Sequence, residues 1–382
     1  MSNQIKFFHD EYKIKYLSDE ISLLPKEFET LYFLYQNPSQ IFTRAQLLEK
    51  VWPMESPTDR TVDDHIYRIR KHIEPLSFAI KIDTVRGQGY VLRLNIEEDH
   101  NPLIEDAEVS SHVTNLFRKY HLYGQGDALK LLEENQHVFG FELDLQRRLY
   151  LRFMNGDFHW LLESQDVPFW EKCYYLLHIY SYIEPDKNKS LAYFTKALNA
   201  KGLPDDHRLE IKLLNRLSLL IFTKHLNEAE RVLVDSKNVI QHKKLEGFIP
   251  PIHLTELYLS FLRKDRAAIK ENMNVMENLL TTYPFSREKA AFSIIKGIDA
   301  LISQEPTKSK GYFDEGLEQF QKAKYVPGIF AGLHTIVFFL EEFNNDQKLS
   351  AYFKGVWSHY AAEYQLDHLY QRLSRLLFHH LK

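Results

Sequence analysis

The chain of 382 residues has a single cysteine, Cys173, so no disulfide can form within it and a reducing, cytoplasmic setting is expected. Glycine and proline number only 14 each, which excludes a collagen-like or low-complexity chain. Neither sign of charge prevails. The 48 Lys and Arg face 52 Asp and Glu, so a uniformly basic coat for nucleic acid is excluded and any such contact must come from a local patch. Long apolar runs are also missing. The longest near the end, Ile329 to Leu340, contains His334 and Thr335 and is shorter than the roughly 20 residues that span a bilayer, so no membrane span is expected. The opening Met1-Ser2-Asn3-Gln4 lacks the basic-then-apolar pattern of an export signal. There is no P-loop, no metal-spaced Cys or His pair and no glycine-rich dinucleotide turn, so no enzyme, cofactor or metal is expected. His379-His380 reads as solvated, and Cys173, in the aromatic stretch Pro168 to Ile183, reads as a small buried hydrophobe.

What remains is a globular composition, 44% hydrophobic and 26% charged, long enough at about 150 residues per domain for two or three domains. Two textures meet near residue 100, where Asn95-Ile-Glu-Glu-Asp-His-Asn-Pro102, Glu105 and Asp106 form a polar, acidic stretch. This divides the chain into 1–95, an acidic linker 96–107, and 108–382. Residues 1–95 hold 13 basic and 13 acidic residues, so the part beyond carries the whole net charge of −4. Within 60–93, seven basic residues (Arg60, Arg68, Arg70, Lys71, Lys81, Arg86, Arg93) face four acidic ones (Asp63, Asp64, Glu74, Asp83), and the basic patch is here.

The N-terminal part begins with β-like runs at Ile5 to Phe8, Tyr12 to Leu17 and Ile21 to Leu24. Pro25 then starts a helix whose stripe is Phe28, Leu31, Tyr32, Leu34 and Tyr35. Thr43 caps a short second helix that stops at Pro53. A third is expected over 61–74, capped by Thr61 with Asp64 three residues on. Its Val62, Ile66, Ile69 and Ile73 share one face, while Thr61, Asp64, Tyr67, Arg68 and Lys71 point the other way, a polar surface that fits a major groove. Ile80-Lys-Ile-Asp-Thr-Val85, a turn Arg86-Gly-Gln-Gly89 and Tyr90-Val-Leu92 make a β-hairpin with an arginine at its tip. His65 and His72 read as packing residues rather than metal ligands.

The motifs LPKEFxxL, TRxxLLxxVW, RTVDxHIxRIRK and IDTVRGQGYVL, in that order, resemble the OmpR-type winged-helix DNA-binding domain of bacterial transcription factors over residues 5–94. The resemblance implies that helix 61–74 is the recognition helix, with Arg68 contacting a base edge and Tyr67, Arg70 and Lys71 the groove edge or phosphates. It makes Arg60 and Thr84 backbone clamps and Arg86 the wing arginine of the minor groove. Arg70 lies nearest the packed side, and a salt bridge at the core edge is an equal reading. Asp64 departs from the aliphatic residue usual in the family. A carboxylate there repels phosphates unless it reads a cytosine amino group or pairs with Arg68. Pro53 replaces the usual glycine before the 53–59 loop, which in the family can touch RNA polymerase.

The rest reads as helical, with a recurring small-x-x-x-large-x-x-small pattern. Ser190/Phe194/Ala197 and Ser309/Phe313/Gly316 are its clearest copies, and Ala128/Leu132, Phe158/Leu162, Ala229/Leu233, Ala268/Asn272 and Leu349/Phe353 are looser. The copies start 30 to 41 residues apart, near the tetratricopeptide period, so the expected fold is a winged helix-turn-helix followed by an all-α tetratricopeptide-like solenoid. Tyr174, Tyr175, Tyr180, Tyr182, Phe338 and Phe339 read as core. The architecture is similar to the Streptomyces antibiotic regulatory proteins and the invasion regulator HilA. That implies a regulator of promoter DNA without a receiver domain ahead of the winged helix, whose repeats bind an effector peptide or protein or self-associate on tandem sites. A scaffold whose winged helix contacts proteins is the alternative; an enzyme built on helical repeats, such as a phosphatase, lacks any catalytic cluster.

Overall fold

The computed structural model describes residues 5–16, 19–53, 58–77, 79–94, 101, 103–104, 106–343 and 347–382. Most of the expected linker, and the middle of the 53–59 loop, lie outside the described residues. The chain falls into two compact units, one of residues 1–110 with 134–142 and the other of 111–133 with 143–382. Within the first, the Asn101 amide donates to the carbonyls of His137 (3.0 Å) and Val138 (3.1 Å), a link that sequence reading did not foresee.

The first unit opens with β1 (Lys6–Phe8), β2 (Lys13–Tyr16) and β3 (Asp19–Ser22), an antiparallel meander in which Ile14 and Tyr16 face the core. The third strand lies earlier than the expected Ile21 to Leu24. Leu23 instead closes a turn onto the Tyr12 carbonyl, and Leu24 is the extended residue from which a helix departs. That helix, α1 (Pro25–Gln36), begins at proline as expected, and the Glu27 carboxylate accepts the Leu24 N–H at 3.1 Å. After β4 (Ile41–Phe42), Thr43 caps α2 (Arg44–Val51), its hydroxyl accepting the Gln46 N–H while Gln46 Oε1 accepts the Thr43 N–H.

Helix α3 spans Asp59–His72 rather than 61–74. Thr58 is the extended residue before it, and the Thr61 N–H already bonds the Thr58 carbonyl at 2.8 Å, so Thr61 sits in the first turn and is not the cap. Asp59 at the first position places an acid against the positive end of the helix. At the other end Pro75 disfavours helical geometry at Glu74, and a 3-10 turn, Glu74–Leu76, replaces the last expected residues. The stripe Val62, Ile66, Ile69 and Ile73 is buried as expected. Strands β5 (Ile80–Val85) and β6 (Gly89–Leu94) form the hairpin, and the short β4 adds to β6 in a sheet ordered β4-β6-β5. A Cβ at position 89 would stand 2.0 Å from the Phe42 carbonyl oxygen, so only glycine admits that pairing.

From Ala107 onward, no strand occurs among the described residues. The helices are α4 (Ala107–Tyr123), α5 (Gly126–Glu134), α6 (Gln136–Phe139), α7 (Leu145–Met154), α8 (Phe158–Glu163), α9 (Phe169–Ile183), α10 (Lys187–Asn199) and α11 (Asp205–Glu210). A π turn, Ile211–Asn215, leads to α12 (Arg216–Phe222), followed by α13 (Leu226–Lys243), α14 (Ile249–Arg263), α15 (Arg266–Thr282) and α16 (Ser286–Ile302). The last are α17 (Pro306–Lys322), α18 (Val326–Phe343), α19 (Gln347–Glu363) and α20 (Leu366–His380).

Successive helices pack as pairs, α14 with α15, α16 with α17 and α18 with α19, while α12, α14, α16 and α18 also pack on one another in turn. The recurring sequence pattern falls on the second helix of each pair. Ser190 and Phe194, Ala229 and Leu233, Ser309 and Phe313, and Leu349 and Phe353 are all buried; Ala268 and Ala128 are half-buried. A Cβ on Gly316 would lie 2.8 Å from the Ala290 carbonyl oxygen, which shows why the pattern demands a small residue there.

The stack differs from an open solenoid in one respect, because its two ends share a core. α20 packs on α8 and α9, and α18 on α7 and α9, so that Phe158 and Tyr182 lie against Phe330. Glu184, at the end of α9 and 1% exposed, accepts hydroxyls from Tyr180 (2.7 Å) and from Tyr370 of α20 (2.9 Å). Burial pushes its carboxyl up, but these hydrogen bonds outweigh it and hold the group below its ordinary value. Helix α18 is longer than the apolar run that marks it, and its 18 residues suffice by length and hydropathy for a membrane span. Val326, Ile329, Phe330, Leu333, Ile336, Phe339 and Leu340 are instead buried within the unit.

Because Glu184 joins helices nearly 190 positions apart, Tyr370→Phe is expected to cost about 1.5–3 kcal/mol, the worth of a hydrogen bond to a charged group. The loss should appear in hydrogen exchange of α9 as much as of α20. Protection lost in α20 alone would show that the ends are not coupled.

Candidate nucleic-acid interface

The basic residues of 60–93 fall into two sets, those with partners and those without. The first set builds the domain. Asp63, on the inner flank of α3, accepts Arg44 Nε at 2.7 Å and the Tyr90 hydroxyl at 2.6 Å, and Arg44 also reaches that hydroxyl at 3.3 Å. One carboxylate thereby ties α2, α3 and β6 together. Burial raises the Asp63 carboxyl, yet the hydrogen bonds from Arg44 and Tyr90 prevail and its pKa is lowered; burial and then Asp63 raise the Tyr90 phenol.

Arg70 donates Nε to the Ile82 carbonyl at 2.8 Å and a terminal nitrogen to Thr84 Oγ1 at 2.9 Å, and its guanidinium lies 5.7 Å from the Tyr90 ring centre. Arg70 thus joins α3 to β5 through a carbonyl and a hydroxyl, and no salt bridge at the core edge forms among the described residues; Thr84 receives it on the exposed side of the hairpin. Lys81 and Arg93 both reach Asp83, at 3.2 and 3.0 Å. His65 bonds the Thr61 carbonyl and sits edge-on to Trp52, while His72 lies 3.6 Å from the buried Glu27 carboxylate.

The second set consists of Arg60, Arg68, Lys71 and Arg86, all exposed. Among the described residues none has a hydrogen bond or ion pair; Lys71 lies over the Tyr67 ring, 5.9 Å from its centre. Arg60, Asp64, Tyr67, Arg68 and Lys71 recur at helical spacing on the outer face of α3, and Tyr67 is 63% exposed. Asp64 has no ion pair with Arg68 among the described residues, which removes one of the two ways its charge could be neutralised. Arg86 stands at the tip of a three-residue turn, Arg86-Gly87-Gln88, in which the Gln88 N–H bonds the Val85 carbonyl and Gly87 has a φ of 77°. The Asp63 and Arg70 locks tie the helix that carries three of these groups to the hairpin that carries the fourth, Asp63 through Tyr90 of β6 and Arg70 through Ile82 and Thr84 of β5. The lock itself was missed in the sequence. Its signal was the acid one residue after Val62 of the packed stripe, with an arginine opening the previous helix.

The lowered pKa of Asp63 has a consequence for stability. Its contribution is fully present above the unfolded carboxylate pKa of about 4 and is lost as pH falls through the lower folded value. Asp63→Asn should therefore weaken hydrogen-exchange protection of α3 and β6 by on the order of 1 kcal/mol at neutral pH, for a half-exposed group. In acid the difference from the parent should vanish. A difference that persists at low pH would mean that charge is not what Asp63 contributes.

Residues 18–92 match the family described as transcriptional regulatory protein, C terminal. The chain is 44% identical over 80 residues to the heme response regulator HssR of Staphylococcus epidermidis, spanning 21% of this chain and 36% of that protein. It is 47% identical over 76 residues to HssR of Staphylococcus aureus strain JH9, spanning 19% and 34%. The chain thus spans about a third of the length of the curated relatives it matches. Among solved structures, the DNA-binding domain of the response regulator AdeR in complex with an intercistronic region is 26% identical, covers 24% of this chain and 96% of that one, and has a TM-score of 0.22. The C-terminal domain of the nisin resistance regulator NsrR is 32% identical over 23% of this chain and 89% of that one, with a TM-score of 0.21. By the family match and these sequence relatives, the N-terminal part of the chain belongs to the OmpR/PhoB-type winged-helix DNA-binding domains of transcriptional regulators.

Proposed function

We propose that the protein is a bacterial, cytoplasmic transcriptional regulator that reads duplex DNA with the outer face of α3 in the major groove and Arg86 in the adjacent minor groove. One observation carries the reading: within residues 60–93, the basic residues without a hydrogen bond or ion pair among the described residues all lie on that face or at the hairpin tip, whereas Arg70, Lys81 and Arg93 are engaged within the domain. In this reading Arg68 forks onto a guanine edge, Arg60 and Lys71 meet phosphates, and Tyr67 and Thr61 line the groove. Thr84 and Arg70 brace the hairpin from behind. RNA polymerase would be met through the 53–59 loop. The helical unit supplies control, through self-association on tandem sites about one helical turn apart or through an effector.

A winged helix with zero net charge neutralises few phosphates, so affinity should be modest and fall with salt at about 0.9 per phosphate contact. Selection of full-length protein on random duplexes tests the reading directly, and no enrichment at low salt would overturn it in favour of a scaffold. Arg68→Ala should relax preference at one or two base pairs by about 1–3 kcal/mol each. Arg86→Ala should instead weaken binding most on A/T-rich flanks, where the groove is narrow. Equal, sequence-independent losses would reduce both residues to phosphate contacts. Asp64→Ala should relax a single cytosine position while raising affinity for non-specific DNA, since an acid on this face repels phosphates everywhere else. A fall in non-specific affinity would exclude that role.

A further inference from the structure

The helical unit has a half-open cavity of about 390 Å³, within the roughly 300–1,000 Å³ of small-molecule sites, where the turn between α7 and α8 meets α17, α18 and α19. Its walls come from the turn between α7 and α8 (Asn155), the turn between α17 and α18 (Lys324, Tyr325) and the end of α19 (His359, Tyr360, Glu363, Tyr364). Val326 and Ile329, both buried, form an apolar floor flanked by the rings of Tyr325, Tyr360 and Tyr364. Lys324 and Glu363 are exposed parts of this lining, and among the described residues neither has an ion pair. Opposite charges that share a small cavity without meeting leave a gap that a molecule carrying a carboxylate at one end and an ammonium at the other would close. The aromatic walls and apolar floor suit an apolar body between them.

We propose that this cavity binds a free α-amino acid with an apolar or aromatic side chain, its carboxylate on Lys324 and its ammonium on Glu363. The assignment rests on the reading of the helical unit as the controlling part and gives that control a ligand. The cavity is connected to the start of the unit through one residue. Tyr325 also carries the Arg287 guanidinium, 5.3 Å from its ring centre. Arg287 in turn donates to the Tyr150 hydroxyl at 3.1 Å and to the carbonyl of His121 at 2.6 Å, in the last turn of α4. A ligand packed on Tyr325 therefore bears, through a single guanidinium, on the helix that opens the all-α part of the chain.

The test is calorimetry and thermal shift of the full-length protein with the protein amino acids, each at millimolar concentration, with the N-acetyl and amide derivatives of any that binds. At least one apolar or aromatic amino acid should bind, and both derivatives should be weaker by about tenfold or more, as should the parent ligand on Lys324→Gln and on Glu363→Gln. Both side chains are exposed, so unchanged melting of the unliganded variants separates lost binding from lost folding. No binding by any amino acid, equal binding of the blocked derivatives, or binding indifferent to both substitutions would each overturn the assignment. Measuring DNA affinity with and without the ligand separates the two levels. Binding without an effect on DNA leaves the cavity assigned and removes its regulatory role. Cooperative occupancy of tandem sites by a protein that binds no amino acid does the reverse.

Discussion

The N-terminal domain depends on one carboxylate held between α2, α3 and β6. Asp63 accepts from Arg44 and Tyr90, and these three side chains fix α3 against α2 and the hairpin. A recognition helix is useful only at a set angle to its wing, since a groove contact displaced by an ångström is lost. Arg70 acts from the other side, joining α3 to the Ile82 carbonyl and Thr84. The domain thus uses two of its arginines as internal fasteners, and the cations of 60–93 left without partners are few, within residues 1–95 whose 13 basic and 13 acidic residues balance.

Much of this could be read in advance. The stripe Val62, Ile66, Ile69 and Ile73, the Pro25 start, the Thr43 cap and the hairpin with Arg86 at its tip all arise from local rules, periodicity and turn chemistry that act within a few residues. What escaped depends on residues far apart in the chain. Charge counting treats Asp63 and Arg44 alike as surface groups, and only the packing of α2 on α3 brings them to 2.7 Å. Strand β4, two residues long, is too short to show alternation and exists because β6 offers it an edge. The start of α3 was misplaced because Thr58 caps without a side-chain hydrogen bond, leaving Thr61 as the more obvious signal.

In the helical unit the burial pattern was legible and the turns were not. Lys224, Lys244, Lys264, Gln304, Lys324 and Gln365 each adopt a left-handed conformation at the end of a helix, with φ between 50° and 62°. Asp265 and Tyr325, for example, close the turn by bonding back to the Ser260 and Phe320 carbonyls. Glycine would advertise such a position; lysine and glutamine do not. Each costs on the order of 1–2 kcal/mol of steric strain. The helix packing on either side of each turn has to outweigh that cost, so these hairpins are held from outside and not by their own loops.

The shared core of the two ends changes how this unit comes into being. In an open repeat array every hairpin can add to the one before it, and stability accumulates along the chain. Here Phe158, Tyr182 and Glu184 wait for Phe330 and Tyr370, which a ribosome delivers well over a hundred residues later. The winged helix, with its own core, can be complete while the α8–α9 surface is still uncovered, an interval in which exposed aromatic faces are open to chaperones or to misassembly. Synthesis therefore produces a folded winged helix before the helical unit, whose shared core closes only once α18 and α20 have left the ribosome.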